Sequence, residues 1–295
     1  MAALCKEYGI KKAVVRHEAE AEVVAEFFDY ILVLTGIADV MPANTVYTVN
    51  SLDAISKFPS GAKVEIKVDS GMHRNGIGAN EIKEAFKMCT GHGLHVKGVF
   101  THHRAADELS CEWYIQEENF KKIKEIALQA AKSYGITKLS FHSQNSAALF
   151  RAGECMHDMV RVGIAAYGCL ENNDTLFTHN LEPVLSLYAS RLATRVLQKG
   201  QKVGYGGMFE ADRQIKISTY DVGYADGLLR LASNRYTTAD GYKILGKISM
   251  DSISVNSDEE SICVFNNALE YAKSCDTISY EILVGMGAYI KRIII

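Results

Sequence analysis

The chain has 295 residues, of which 48% are hydrophobic and 23% charged, and its net charge is −3. This composition describes a folded chain with a core and excludes the disordered and fibrous classes. The acidic balance excludes a surface shaped for nucleic-acid phosphates, and no apolar run approaches the ~20 residues of a membrane helix. Seven scattered cysteines without a CxxC pair, and an N-terminus without a signal-peptide pattern, predict a cytoplasmic protein with reduced thiols.

The first part of the chain alternates short apolar runs with helical patterns. Strands are predicted at residues 31–34, 46–49, 63–69, 96–99, 138–142 and 160–166. Apolar residues recur at the spacing of one helix face at Ile82, Ala85, Phe86 and Cys89, and again at Phe120, Ile123, Ala127 and Ala130. The repeated order strand, helix, strand predicts a parallel sheet with helices outside. Its length fits an incomplete TIM-like β/α barrel, since a whole barrel needs about 250 residues.

From residue 182 onwards the helical period fades. Strands are predicted at residues 184–188, 214–218 and 242–255, between glycine-rich turns at 203–207 and 223–227. We therefore predict an α/β fold in two domains, with the barrel over residues 1–180 and a mostly-β domain over residues 181–295.

Polar residues follow the predicted barrel strands, where the functional groups of such barrels collect. If the alternate apolar residues of strand 63–69 pack against the helices, Lys67 and Asp69 point into the barrel. A buried lysine must be paired, modified or neutral, and the spacing favours a salt bridge from Lys67 to Asp69 or Glu65. Of His102 and His103, only one can face the barrel mouth.

Three further segments are ambiguous when taken alone. Arg161, inside predicted strand 160–166, needs an accepting partner, which is either a structural carboxylate or a ligand, and Gly163 would allow a ligand to approach. Residues 142–148 have the pattern of a helix N-cap, which could hold a phosphate, although most N-caps bind nothing. In the second domain, tyrosines lie on glycine turns, and residues 249–251 lie inside a predicted strand.

Taken together and in chain order, these segments resemble the motifs of one known protein family. KVDSGMHRNG, THHRAADE, HSQNSAA, VRVGIAAYG, VGYGG, GYADG, KISMD and TISYEIL together resemble bacterial alanine racemase over essentially the whole chain. The resemblance implies a barrel followed by a C-terminal β domain, pyridoxal 5′-phosphate as cofactor, and interconversion of L-alanine and D-alanine for peptidoglycan precursors. It also implies a homodimer in which each β domain contributes to the partner's active site, with an amino acid as substrate. No nucleic acid, membrane or metal partner is expected.

The resemblance further assigns roles to single residues. Tyr205 would be the base for the α-proton of L-alanine, and His102 would hydrogen-bond to Tyr205 and Arg161. Arg161 would approach the pyridine nitrogen of the cofactor. The phosphate-binding residues would be Asn145, Ser146, Gly163, Ile164 and Tyr280. Arg74 and the Met250 backbone would contact the substrate carboxylate, and Tyr224 and Asp251 would line the entrance. Lys67 matches a position where many family members carry a carbamylated lysine, which would hold Arg74.

The match lacks the N-terminal signature of the family. Racemisation needs a base on each face of the reacting carbon, and the family takes the second base, the Schiff-base lysine, from that signature. Here the chain opens with MAALCKEYGIKKAVVRHEAEAE, which resembles the helix just after it. We therefore expect an N-terminally truncated chain without the first barrel strand, either because Met1 is an internal methionine taken as the start or because the gene product itself is truncated. In both cases we expect residues 1–295 alone to have little or no racemase activity.

Two alternative functions stay open. One is a non-catalytic remnant that acts as a binding or assembly module, and the other is a broad-spectrum amino-acid racemase. Pyridoxal-dependent decarboxylases share the fold, but they carry a cysteine-containing motif in the second domain, so GYADG and SMD argue against them.

Overall fold

The computed structural model describes residues 1–37, 42–171 and 175–294. The chain divides into two compact units. The barrel unit comprises Met1–Gly163 and Asn172–His179, and the β unit comprises Ile164–Glu171 and Asn180–Ile295. Within the described ranges, every helix is too short or too polar to cross a membrane.

The barrel unit is built on a six-stranded parallel sheet. Its strands pair in chain order, β1 (Lys12–Val15), β2 (Tyr30–Val33), β3 (Thr45–Val49), β4 (Lys63–Lys67), β5 (His95–Phe100) and β6 (Ser140–His142). The helices are α1 (Ala2–Glu7), α2 (Glu18–Val24), α3 (Ile82–Gly91), α4 (Glu112–Ser133) and α5 (Ser146–Ala152). This architecture confirms the predicted barrel-like parallel sheet.

The two faces of this sheet differ in character, because side chains alternate along each strand. On the outer face, Val64 and Ile66 of β4 join an apolar core together with Phe86 of α3 and Phe120 of α4. The alternate residues of the strands turn to the opposite, inner face. There a small apolar cluster of Leu32, Val46 and Phe100 lies beside buried polar groups of β4 and β6.

The β unit is built on a four-stranded antiparallel sheet. Its strands are β7 (Leu187–Leu197), β10 (Ile215–Tyr220), β11 (Ile253–Val255) and β12 (Ser261–Phe265), in the order β11-β10-β7-β12. Two shorter strands, β8 (Lys202–Val203) and β9 (Phe209–Glu210), pair with each other. Among its described residues, the unit also contains two α-helices, α6 (Ala268–Ser274) and α7 (Ser279–Gly285). Tyr271 of α6 stacks on Phe265, with ring centroids 5.0 Å apart. The prediction of a second, mostly-β domain is confirmed.

The predicted strand over residues 160–166 is wrong. Ile164–Tyr167 forms a 3-10 helix, and the residues before it have no regular structure. The backbone N–H of Arg161 donates to the Gln144 carbonyl, and that of Gly163 donates to Ser146 Oγ. These donors contact a loop and a side chain, so they are not available to a strand ladder.

The predicted strand over residues 242–255 is shorter than expected. Only its end, Ile253–Val255, is a strand, because the Ser249 N–H bonds back to the Ser252 carbonyl and forms a turn. The strand predicted from residue 184 begins at Leu187. Strand β1 and helices α6 and α7 were not predicted.

Candidate active site

A chain of hydrogen-bonded side chains crosses the inner face of the barrel sheet. Glu65 is fully buried, and its carboxylate accepts hydrogen bonds from the Tyr30 hydroxyl and from His142 Nε2, 2.6 Å away. His142 Nδ1 accepts a hydrogen bond from Arg161 Nη1. We call Tyr30, Glu65, His142 and Arg161 the inner-face network. Burial acts to raise the pKa of Glu65, but the hydrogen bonds from His142 and Tyr30 and the nearby charge of Arg161 outweigh it, so this pKa is lowered.

The sequence did not identify Tyr30, Glu65 or His142 as site residues. The sequence indicated Glu65 only as a possible salt-bridge partner for Lys67. The available signal was its position between Val64 and Ile66, because an acidic residue inside an apolar strand requires a partner when it is buried.

Arg161 is held by several acceptors at once. Its Nη2 lies 2.7 Å from the Thr101 carbonyl, 2.8 Å from the Ser143 carbonyl and 3.3 Å from His102 Nδ1. Burial lowers the pKa of Arg161 to about 10, so the guanidinium stays charged at neutral pH. Of the two partners considered for Arg161, a carboxylate or a ligand, a carboxylate is not among these acceptors, since Glu65 reaches Arg161 only through His142.

His102 is a neutral imidazole in a positively charged corner. Burial, followed by the charges of Arg161 and Lys67, lowers the pKa of His102 to about 3. Because its Nδ1 accepts from Arg161, the ring proton lies on Nε2, which can donate to a further group. His103 turns away from this corner and places its Nε2 2.7 Å from the buried Glu117.

Lys67 lies at the end of β4 on the inner face. It is 9% exposed, and its Nζ donates to Asn75 Oδ1. The predicted salt bridge to Asp69 or Glu65 is wrong, because Glu65 belongs to the inner-face network. The Asp69 carboxylate instead accepts the backbone N–H groups of Gly71, Met72 and His73. Burial and the neighbouring charge of Arg74 lower the pKa of Lys67 to about 8.

The start of α5 brings three of the predicted phosphate-binding residues together. Asn145 is the N-cap, and its side chain accepts from the Ala148 N–H at 2.9 Å. Ser146 Oγ lies 3.0 Å from the Gly163 N–H. A Cβ added to Gly163 would meet nothing within 4 Å, so open space lies against the backbone here. Within the described part of the chain, no three His, Cys, Asp or Glu side chains are grouped to hold a metal.

In the β unit, Tyr205 is presented on a glycine turn between β8 and β9. It is 68% exposed, and the flanking Gly204 and Gly206 have φ values of 66° and 71°, which favour glycine. Tyr205, Lys247 and Asp251 line one cleft of about 430 Å³, whose remaining lining includes the hydroxyls of Thr219, Ser249, Ser252 and Ser254.

A second pair of predicted site segments is joined by backbone hydrogen bonds. The N–H of Tyr224 donates to the Ser249 carbonyl, and that of Ala225 donates to the Met250 carbonyl. Tyr224 and Met250 are both about half exposed. Of the remaining predicted residues, Ile164 is buried at the start of its 3-10 helix, and Tyr280, in the first turn of α7, is half exposed.

Comparison with known proteins gives one family for both units. Family models described as "Alanine racemase, N-terminal domain" and "Alanine racemase, C-terminal domain" match residues 1–171 and 184–294. The chain is 47% identical to an alanine racemase of Nitratiruptor sp. over 96% of this chain and 83% of that protein. It is 44% identical to one of Campylobacter concisus, over 99% and 86% of the two chains.

Solved structures agree with the sequence matches. An alanine racemase of Clostridium difficile superimposes with a TM-score of 0.84 at 26% identity, over 97% of this chain and 82% of that one. The fold is also that of a Bartonella henselae alanine racemase, described with covalently bound pyridoxal phosphate, at a TM-score of 0.82 and 24% identity over 99% and 87%.

Proposed function

The chain belongs to the alanine racemase family, and from that premise we propose that it interconverts L-alanine and D-alanine with pyridoxal 5′-phosphate, supplying D-alanine for peptidoglycan precursors. The observation that carries this proposal is the corner where Arg161 and the neutral His102 meet, with the open backbone at Gly163 in the same unit. A guanidinium, a ring N–H donor and a cradle for an anion are among the groups that this cofactor chemistry requires.

The residues of the barrel unit fit the cofactor. Pyridoxal phosphate, when bound, acidifies the Cα–H of an amino acid and so supplies the chemistry of the reaction. Asn145, Ser146 and the backbone at Gly163 and Ile164 would hold its phosphate, with Tyr280. Arg161 would face the pyridine nitrogen, and because an arginine keeps its proton, it would leave that nitrogen unprotonated.

Tyr205 is the proposed base for the α-proton of L-alanine. An ordinary phenol has a pKa near 10, so it needs cationic or donating neighbours to act as a base at neutral pH. The Nε2–H of His102 can donate to a phenolate oxygen, and Arg161 holds that ring in place. In the proposed homodimer, Tyr205 of the β unit enters the barrel site of the partner.

Substrate contacts complete the proposal. Arg74 and the Met250 backbone bind the carboxylate of alanine, while Tyr224 and Asp251 line the entrance. Lys67, whose pKa is near 8, has a neutral fraction that can react with carbon dioxide, and the resulting carbamate holds Arg74.

The proposed domains are residues 1–180 for the barrel and 181–295 for the β domain. The location is proposed to be the cytoplasm, which is consistent with seven cysteines that are all free.

Racemase activity is tested on the protein expressed from its complete reading frame with pyridoxal phosphate. We expect L-alanine to be converted to D-alanine, with serine and lysine turned over much more slowly. Comparable rates on all three would favour a broad-spectrum racemase, and no turnover of any of them would reject the proposal in favour of a non-catalytic module.

The shared site is tested by mixing two inactive variants, Tyr205→Phe and Arg161→Ala. If Tyr205 acts in the partner's barrel, random re-association restores about a quarter of the sites, because half of the dimers are mixed and each has one intact site. If Tyr205 acts within its own chain, mixing restores no activity.

A further inference from the structure

We propose that Glu65 is a positioning residue for the reaction, acting through His142 to fix the orientation of Arg161. This inference rests on the proposed function, which places Arg161 against the cofactor ring. Glu65 lies outside the site residues assigned above.

The geometry of three neighbouring strands brings Glu65 to His142. In the sheet, Glu65 of β4 is paired with Gly98 of β5, and Gly98 is paired with Ser140 of β6. A Cβ on Gly98 would lie 3.0 Å from Glu65 Oε1 and 2.7 Å from Ser140 Oγ. Glycine at this position therefore leaves the space through which the Glu65 side chain crosses β5 and reaches the imidazole of β6.

The hydrogen bonds of the inner-face network select one tautomer of His142. An ionised carboxylate only accepts, so His142 Nε2 must carry the ring proton. Nδ1 then presents a lone pair to the Arg161 guanidinium, which only donates. Burial lowers the pKa of His142, which keeps the ring neutral. A carboxylate that fixes the tautomer of a functional imidazole is a known device of active sites.

Among the residues that the structure describes, Glu65 and Arg161 are the hydrogen-bond partners of the His142 ring nitrogens. His142 is 1% exposed, and its ring stacks on Phe100 with centroids 4.8 Å apart and planes 7° apart. Without Glu65, the Nε2–H tautomer would leave a buried donor unpaired, and the Nδ1–H tautomer would place two donors, His142 and Arg161, against each other. Glu65 also supplies the negative charge that balances buried Arg161 across the neutral ring.

Two substitutions of Glu65 distinguish its effect on the His142 tautomer from the effect of its negative charge. Glu65→Leu removes both the acceptor and the charge, whereas in Glu65→Gln the amide oxygen still accepts from Nε2–H and only the charge is lost. Glu117→Gln is the matched control, since Glu117 is another buried glutamate of the barrel unit that is paired with histidines outside the network. Each variant of the complete protein is labelled with ¹⁵N in histidine. Two-bond ¹H–¹⁵N correlations of His142 then report its tautomer, independently of activity.

The native protein and Glu117→Gln are expected to show His142 as Nε2–H. Glu65→Leu is expected to show a mixture of tautomers and a kcat lowered by roughly ten- to a hundredfold, as when the partner that orients a functional group is removed. The KM for alanine should change by less than about threefold, because Arg161 does not bind the substrate carboxylate. Glu65→Gln is expected to keep the native tautomer and to recover part of the lost kcat.

A native Nδ1–H ring, or Glu65→Leu with the native tautomer or the native kcat, would overturn the proposal. If Glu65→Leu does not fold, the His142 tautomer of the native protein and the kcat of Glu65→Gln test the proposal instead. An unchanged kcat in Glu65→Gln then contradicts the positioning role of Glu65. A native protein that does not racemise alanine would reject the proposed function, while the tautomer measurement would still decide how Glu65 acts on His142.

Discussion

The barrel unit and the β unit present their candidate site residues in opposite ways. Glu65 and His142 are almost completely buried, and each is fixed by side chains from other strands. Tyr205, Tyr224 and Met250 are 48–68% exposed on turns whose position is set by glycines and backbone hydrogen bonds. The barrel residues are therefore held in place by their own unit, whereas the β-unit residues are largely open to solvent in theirs.

The two units therefore differ in the free-energy cost of holding their candidate site residues in place. Burying Arg161 is tolerated because its charge is balanced through the inner-face network, so the barrel site is stable only as a whole. Because the Tyr205 side chain is exposed, placing it costs the β unit little free energy of folding. Its reactivity must then come from the groups that it meets elsewhere, which supports the proposal of a shared dimer site.

The largest expected effect is on activity, from Tyr205→Phe. Loss of the proposed general base should lower the racemisation rate by about 10²–10⁴-fold, while the melting temperature stays unchanged because the side chain is exposed. D-alanine formation and thermal unfolding measure the two effects. The same substitution at Tyr188, also exposed in the β unit, is the control. Equal rates for the two variants would contradict the role of Tyr205.

In the barrel unit, the largest expected effect on stability comes from Gly98→Ala. The new methyl group would press on Ser140 and Glu65, so the free energy of unfolding should fall by about 2 kcal/mol. Gly91→Ala, where an added Cβ meets nothing within 4 Å in a helix, should leave stability unchanged or raise it by up to about 1 kcal/mol. Urea unfolding followed by fluorescence compares them, and a Gly98→Ala protein as stable as Gly91→Ala would show that β4 and β6 are not in close contact through this gap.

Lowering the pH should destabilise the barrel unit more than the β unit. All nine histidines lie in residues 17–179, within the barrel unit, and the pKa values of His102 and His142 are lowered on folding. The unfolded chain therefore binds more protons below pH 6.5, and stability is lost as the pH falls from there towards the folded pKa, about 3 for His102. Between pH 7 and pH 5 we expect a loss of about 2 kcal/mol from His102 alone, to which His142 adds.

Hydrogen exchange at the two pH values, corrected for its intrinsic pH dependence, locates this loss. Protection should weaken in β4, β5 and β6 and stay constant in β7 and β10. An equal loss in both units would place the proton uptake outside these histidines.

The sequence predicted the parts of the fold that depend on local patterns. The alternation of apolar and polar residues in β4 correctly predicted that Lys67 lies on the other face of the sheet from Val64 and Ile66. It could not identify the inner-face network, because Glu65 and His142 are 77 residues apart and only the pairing of β4, β5 and β6 brings them together. The strand predicted around Arg161 failed for a related reason, since tertiary hydrogen bonds there replaced the local preference of the apolar residues.

The smallest expected effect concerns Lys67, which lies on the same strand as Glu65 and whose Nζ donates to Asn75. Because burial and the Arg74 charge bring its pKa to about 8, a substantial fraction of Lys67 is neutral at pH 8 and can add carbon dioxide. The exposed Lys63 at the other end of β4 is the comparison. In protein equilibrated with ¹³C-bicarbonate, a carbamate signal should appear, disappear in Lys67→Ala and persist in Lys63→Ala. Removing carbon dioxide should raise the KM for alanine about threefold, the effect of one ordinary hydrogen bond through Arg74. A carbamate signal that survives Lys67→Ala would show that burial on the inner face does not select this lysine.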